Sequence, residues 1–313
     1  MDDGSCRYVN GVWIHNLFQE EKIRSAMRYK PRRGDVILVT YPKCGTNWTQ
    51  FIVWNILTRA ESLTSPAEFN LMCPFIELTG AEAAENPLRR GGITTHLPLA
   101  AFKPVEWAKY IYVTRNPYDC AVSYYHFSKG LTPKTFTDVS FEKFISLFLT
   151  GKVIYGDYFD HLLPWYKRRY DKNVLLITYE QLKVDSRAEV LRIADFIGEE
   201  HGTALREDEA LFHKIMSACS LENMKAFFTD KPMERVKNAL QTASIELEKP
   251  QMTNTFPPKG VELHEGPGYL RKRIVGDWKN YFTSEQIQQM KDWITKKSHG
   301  SDVMSLWKNC DLP

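Results

Sequence analysis

The stretch Asp35-Val-Ile-Leu-Val-Thr-Tyr41-Pro42-Lys43-Cys44-Gly45-Thr46-Asn47-Trp48 decides the fold. Val36 to Tyr41 is a continuous apolar run rich in β-branched residues. A strand buried on both faces reads that way, whereas a half-exposed strand alternates. Pro42 to Gly45 reads as a tight turn, and Trp48 to Leu57 carries apolar residues all the way round, as a helix buried against a sheet does. Strand, turn and buried helix in that order make the front of a parallel α/β unit.

Two more runs of the same kind lie downstream, Tyr110 to Thr114 and Val174 to Thr178, and helical patterns fall between and after them. From Ser186, with Glu189 three residues on as a capping box and Gly198 as the stop, Val190, Leu191, Ala194 and Ile197 line one face. Near the C-terminus Thr283 and Gln286 form a second capping box, Ile287, Met290 and Ile294 give the stripe, and Lys296 and Lys297 suit the negative end of the helix dipole. Lys249 to Gly268 is broken by Pro250, Pro257, Pro258 and Pro267 and reads as a long loop able to cover a site. The expected architecture is therefore α/β, a single domain over residues 1–313 with a central, mostly parallel sheet flanked by helices.

Composition narrows the function classes. A chain of 313 residues with 43% hydrophobic and 25% charged residues is neither disordered nor fibrous. A net charge of +3 is too mild to announce a nucleic-acid partner, yet leaves room for a local cationic pocket. The six cysteines show no C-x-x-C pair and no histidine companion at zinc spacing, so no metal is expected and free thiols in a reducing, cytoplasmic setting are the simplest reading. No run approaches the about 20 apolar residues of a membrane helix, and the polar start Met1-Asp2-Asp3-Gly4-Ser5 lacks a signal peptide.

The turn after the first strand is where chemistry concentrates. A strand-to-helix turn aims backbone N–H groups and the positive end of the helix dipole at one spot, an anion site to which Lys43 adds a full charge. The usual nucleotide loop places its lysine directly after the last glycine, whereas Lys43 precedes Gly45 by two residues. This is a phosphate loop of another kind, although an ordinary surface turn would account for Lys-x-Gly alone.

The segment Tyr41-Pro-Lys-Cys-Gly-Thr-Asn-Trp48 resembles the 5′-phosphosulfate loop of the cytosolic sulfotransferases. Four more motifs are similar to that family and stand in its order: Thr95-His96-Leu97-Pro98; Tyr112-Val-Thr-Arg115-Asn116-Pro117 leading to Ser123-Tyr-Tyr-His-Phe127; Tyr179-Glu180; and Arg271-Lys272 with Gly276-Asp277-Trp278-Lys279. The resemblance implies sulfuryl transfer from 3′-phosphoadenosine 5′-phosphosulfate as donor to the hydroxyl or amine of a small-molecule, phenolic acceptor. It places Lys43 at the leaving phosphate, Cys44, Gly45, Thr46 and Asn47 around the 5′-phosphate, and Trp48 on adenine. Arg115, Ser123, Arg271, Lys272 and Arg273 would take the 3′-phosphate side, and Tyr179 and Ser220 complete the nucleotide set. His96 becomes the general base, the role that histidine's titration range suits, and Phe75, Phe127 and Tyr155 line an acceptor slot for flat phenols or hydrophobic alcohols.

Departures from the family are as specific as the matches. Thr94 stands where the family usually has lysine, Leu221 where phenylalanine often contacts adenine, and Arg273 where glycine is usual. Of the C-terminal dimer motif only Lys279 and Thr283 remain, with Ser284 and Gln288 at the altered positions, so a monomer or a non-standard homodimer is expected. Two other functions compete: a silent relative that only binds nucleotide or ligand, suggested by Thr94, and a nucleotide kinase, which needs a Mg²⁺ ligand set that is not evident. Cys44, beside Lys43 and a helix N-terminus, reads either as a thiol of lowered pKa or as a buried, inert one.

Overall fold

The computed structural model describes residues 5–134, 140–228, 262, 264, 272 and 274–313. Four parallel strands form its main sheet in the order β4 (Ile93–Thr95), β3 (Val36–Thr40), β5 (Lys109–Thr114), β6 (Val174–Thr178). Burial alternates cleanly across it. Ile37, Val39, Tyr110, Tyr112 and Leu176 face one core, while Leu38, Ile111, Val113, Leu175 and Ile177 face the other. Both faces are therefore apolar, which is why β3, β5 and β6 read as continuous runs and not as alternations.

Helices α1 (Glu20–Arg28), α2 (Thr46–Leu57), α3 (Pro66–Met72), α4 (Ile76–Thr79) and α5 (Ala81–Glu85) precede β4. Between β5 and β6 lie α6 (Pro117–Lys129), α7 (Phe141–Leu149) and α8 (Tyr158–Lys167). After β6 come α9 (Tyr179–Val184), α10 (Ser186–Ile197), α11 (Glu199–Glu207), α12 (Glu209–Ala218) and α13 (Leu221–Phe227), and α14 (Ser284–Lys297) sits near the C-terminus. Residues of α2 and α9 to α13 fill one core; α6, α7, α8 and α14 fill the other. From β3 the chain crosses to β4 on one side and then to β5 on the other. The carboxyl ends of β3 and β5 thus flank a topological switch point, where open parallel sheets place their ligands.

Two details depart from the sequence reading. The α10 N-cap is Asp185, whose carboxylate accepts from the Ala188 N–H, so Ser186 begins the helix and Glu189 pairs with Arg192 instead of closing a capping box. A ligating carboxylate one residue upstream outcompetes the serine for the free N–H groups. An antiparallel hairpin, β1 (Cys6–Val9) and β2 (Val12–His15), was not anticipated, although its Asn10-Gly11 turn, with both residues at positive φ, is a strong hairpin signal. Most of the expected loop Lys249 to Gly268 lies outside the described residues; Glu262 and His264 pair through their backbones with Lys134 and Thr132. The C-terminal capping box is present as read, with Thr283 and Gln286 exchanging hydrogen bonds.

Ile111, fully buried in a central strand, should lose about 2–5 kcal/mol on Ile111→Ala, by lost transfer energy plus the cavity left. Thr283→Ala, which removes one cap, should cost about 1 kcal/mol. Urea titration of both variants checks the ranking, and equal losses would contradict it.

Candidate active site

Tyr41 to Gly45 turns the chain from β3 into α2 by a left-handed Lys43 (φ 70°) and a left-handed Gly45 (φ 105°). Gly45 is required twice over, since a Cβ there would lie 2.9 Å from the Tyr179 ring as well as at an unfavourable φ. No side chain caps α2, so its first-turn N–H groups at Thr46, Asn47 and Trp48 point out of the helix toward the turn. Tyr179 joins this loop to the next. Its ring meets Trp48 edge-on at 5.8 Å, and the Arg115 guanidinium lies over it at 4.4 Å.

Arg115 follows the end of β5 and is almost fully buried. It donates to the Ile274 carbonyl at 2.9 Å and stands 3.8 Å from Asp119, while its Nε has no hydrogen-bond partner among the described residues. A buried guanidinium with a spare donor is a group prepared for an anion. Asp119 accepts from the Gly276 and Trp278 N–H groups and thereby tethers the segment after Ile274 against α6, which also carries Ser123. Lys272 is exposed and paired with Asp277, and Arg271 and Arg273 lie outside the described residues. Ser220 uses its hydroxyl to cap α13 at Asn223 and, among the described residues, is not hydrogen-bonded into the Arg115 cluster.

His96 follows β4, the strand paired with β3, and is brought to the loop by that pairing. Its Nδ1 lies 2.7 Å from the Thr40 carbonyl oxygen. A carbonyl only accepts, so Nδ1 carries the proton and Nε2 keeps its lone pair. The peptide on either side is held as well: Glu77 of α4 accepts from the His96 N–H, and His161 of α8 lies 3.0 Å from the His96 carbonyl, with the Tyr112 hydroxyl 2.8 Å from its other nitrogen. Around the ring stand Phe75 at 5.0 Å and Tyr155 at 5.3 Å between centroids. Phe18, entering from the end of β2, packs edge-on against both. Lys43 Nζ sits 4.6 Å over the Phe127 ring.

The structure thus brings His96, Lys43, Phe75, Phe127 and Tyr155 together at one end of the loop, and Gly45, Trp48, Tyr179 and Arg115 at the other. Phe18, Thr40, Glu77 and His161 were missed. Phe18 is reached only by the tertiary return of the N-terminal hairpin, where the Tyr155 N–H donates to the Trp13 carbonyl at 2.7 Å. Thr94 puts no charge into the site; its hydroxyl is buried without a partner among the described residues.

Burial governs the titration of this region. Desolvation lowers His96 to about 4, against a raising bond to Thr40, with the Lys43 charge adding a smaller lowering. The residue is only half-buried, but protein surrounds its ring closely enough to set the cost of its charge. His161, fully enclosed, falls to about 3 for the same first cause, and Glu77 rises to about 8 because burial outweighs its donors.

The reactive reading of Cys44 is overturned. Its thiol is fully buried, 3.7 Å from Cys120 Sγ, and burial pushes its pKa well above the ordinary value; the nearby cation does not compensate. Its N–H is spent on the Tyr41 carbonyl, so the residue builds the turn instead of offering a ligand group.

The chain matches a family model described as "Sulfotransferase domain" over residues 33–302. It is 32% identical to mouse sulfotransferase 1B1 over 283 residues, covering 86% of this chain and 84% of the relative. To flavonol 4′-sulfotransferase of Flaveria chlorifolia it is 31% identical, with 89% and 83% covered. Among solved structures, mouse sulfotransferase SULT7A1 complexed with PAP is similar at a TM-score of 0.67 and 27% identity, covering 98% of both chains.

Two outcomes are expected. Thiol titration of the native protein should modify Cys6 and Cys310, both partly exposed, before Cys44, Cys73, Cys120 and Cys219; early labelling of Cys44 would contradict its burial. The second concerns acid stability. A histidine whose folded pKa is depressed stabilises the fold above its unfolded pKa of about 6.5 and loses that contribution as pH falls toward the folded value. His161 should therefore cost up to about 1.4 kcal/mol per pH unit below about 6.5. Glu77, raised, works the other way and loses stability as pH climbs from its ordinary range to about 8. His161→Gln should flatten the fall in urea-determined stability between pH 6.5 and 5, and an unchanged slope would contradict the assignment.

Proposed function

Because the chain belongs to the sulfotransferase family, we propose that it moves a sulfuryl group from 3′-phosphoadenosine 5′-phosphosulfate to the hydroxyl of a small, flat, phenolic acceptor, with His96 as base and Lys43 at the leaving phosphate. The observation that carries this reading is the Nδ1 bond to Thr40. It leaves Nε2 of His96 as a bare acceptor beside Lys43 and between the Phe75 and Tyr155 rings. The donor supplies an activated sulfuryl group whose departure leaves charge on a phosphate oxygen.

The residues present fit that donor. The uncapped N-terminus of α2 and the Gly45 cradle suit the 5′ end, and the spare buried Nε of Arg115 suits a second phosphate. In the reaction Nε2 of His96 takes the acceptor's proton as its oxygen bonds to sulfur. Low intrinsic basicity keeps the imidazole in its accepting form near neutral pH. Lys43, held by its left-handed backbone and the Phe127 face, stabilises charge on the leaving oxygen. Phe18, Phe75, Phe127 and Tyr155 supply flat apolar walls, which suit an aromatic acceptor. The free state of the described cysteines fits a cytoplasmic setting. We read residues 1–313 as one unit acting alone or as a dimer through a surface other than the α14 start, where Thr283 is engaged as a helix cap.

His96→Ala should lower kcat by about 10²–10⁴ and leave binding of 3′,5′-bisphosphoadenosine within about threefold, since a base acts on the acceptor side. Lys43→Met should lower kcat about 10²-fold with a smaller effect on donor affinity. Steady-state kinetics over a phenol panel, with calorimetry of the bisphosphate, read both. Loss of bisphosphate binding in His96→Ala would overturn the base assignment. Binding without turnover in the wild type would favour the silent-relative reading that Thr94 suggests. The acid limb of turnover should lie well below pH 6.5, toward about 4 where His96 takes up its proton, and move up in Lys43→Met, because the lysine charge opposes protonation of His96.

A further inference from the structure

Thr40, the last residue of β3, is fully buried and offers His96 two oxygens. Its carbonyl lies 2.7 Å and its hydroxyl 3.0 Å from Nδ1. That same hydroxyl lies 2.7 Å from Oγ1 of Thr46, the first residue of α2. Proton bookkeeping orients the chain. Nδ1–H is committed as a donor, so the Thr40 hydroxyl can only accept there and must send its own hydrogen elsewhere. Thr46 Oγ1 receives it. The Thr46 hydroxyl then keeps a hydrogen to give, at the half-exposed N-terminus of α2.

We propose that Thr40 is a positioning residue that couples the anion loop to His96 through the chain Thr46 hydroxyl, Thr40 hydroxyl, Nδ1–H. The coupling rests on the sulfuryl-transfer reading of the site. When Thr46 donates to a phosphate, its oxygen becomes a better acceptor for the Thr40 hydrogen, and the Thr40 oxygen a better acceptor for Nδ1–H. The imidazole then holds a proton at Nε2 more readily. Donor occupancy strengthens the base at the moment it is needed, and by linkage a protonated His96 favours the occupied loop by the same factor.

Other groups act on His96 and remain in place in the test. Lys43 faces it from the loop, Glu77 holds its N–H from α4, His161 holds its carbonyl from α8, and Tyr155 stands against the ring. A bound polyanion also raises its proton affinity through space. Thr40→Val removes the hydroxyl while keeping the carbonyl, the volume and that field. Thr40→Ser keeps the hydroxyl.

The experiment follows the His96 Cε1–H resonance through a pH titration, with and without 3′,5′-bisphosphoadenosine, in the wild type, Thr40→Val, Thr40→Ser and Thr46→Val. The wild type and Thr40→Ser should show a larger bisphosphate-induced rise in the His96 pKa than Thr40→Val or Thr46→Val. In Thr40→Val kcat should fall about tenfold, while bisphosphate affinity in unprotonated protein stays within about threefold. Should Thr40→Val fail to fold, the pair Thr40→Ser and Thr46→Val reads the same difference from the other end of the chain. An induced shift of equal size in wild type and valine variants overturns the coupling while leaving sulfuryl transfer standing. Failure of the wild type to bind bisphosphate overturns both.

Discussion

Strand β3 pairs in parallel with β4 on one side and β5 on the other, and that double pairing is the constraint on which the site depends. It holds the ends of three strands level. The turn after β3, His96 after β4 and Arg115 after β5 then meet in one crevice although they are far apart in sequence. The strand can be a shared neighbour because both its faces are apolar and both are covered by helices. Its only polar side chain, Thr40, falls at the end, where it meets His96 and Thr46.

Desolvation is the dominant electrostatic effect around that crevice. Two histidines are held neutral, and one of them, His161, works as a neutral donor to a carbonyl with its tautomer set by that carbonyl and by Tyr112. Glu77 is driven upward by the same cause even though it accepts from the backbone at His96. A buried carboxyl and a buried imidazole thus hold the peptides on either side of His96. Motion of His96 would strand one or the other without its partner, and unpaired buried polar groups are costly. The same effect silences Cys44: a cation nearby does not make a thiolate where water cannot reach the sulfur.

The strand runs, the buried helix behind the Lys43 turn and the second capping box were legible because each is a local pattern. Hydrophobic continuity reports burial on both faces, and a cap needs only residues three apart. The loop itself was legible for a similar reason, since Lys43 and Gly45 sit next to the helix N-terminus they serve. Asp185 shows the limit of such reading: two cap candidates stood side by side, and only the backbone conformation decided between them.

By itself the sequence determined the α/β class and the strand-to-helix turn that carries Lys43, because those properties are carried by neighbours along the chain, whereas His96 and Arg115 stood out through motifs that resemble the family's. Only the tertiary structure decided what surrounds them. Phe18 reaches Phe75 and Tyr155 through a hairpin that closes on Tyr155; Glu77 and His161 meet at His96 from two different helices; and Thr40 meets both His96 and Thr46 because β3 and β4 run side by side. Sequence spacing carries no record of such contacts. They arise when separate elements are packed on a common sheet, and that packing also sets the desolvation that decides which groups hold a charge.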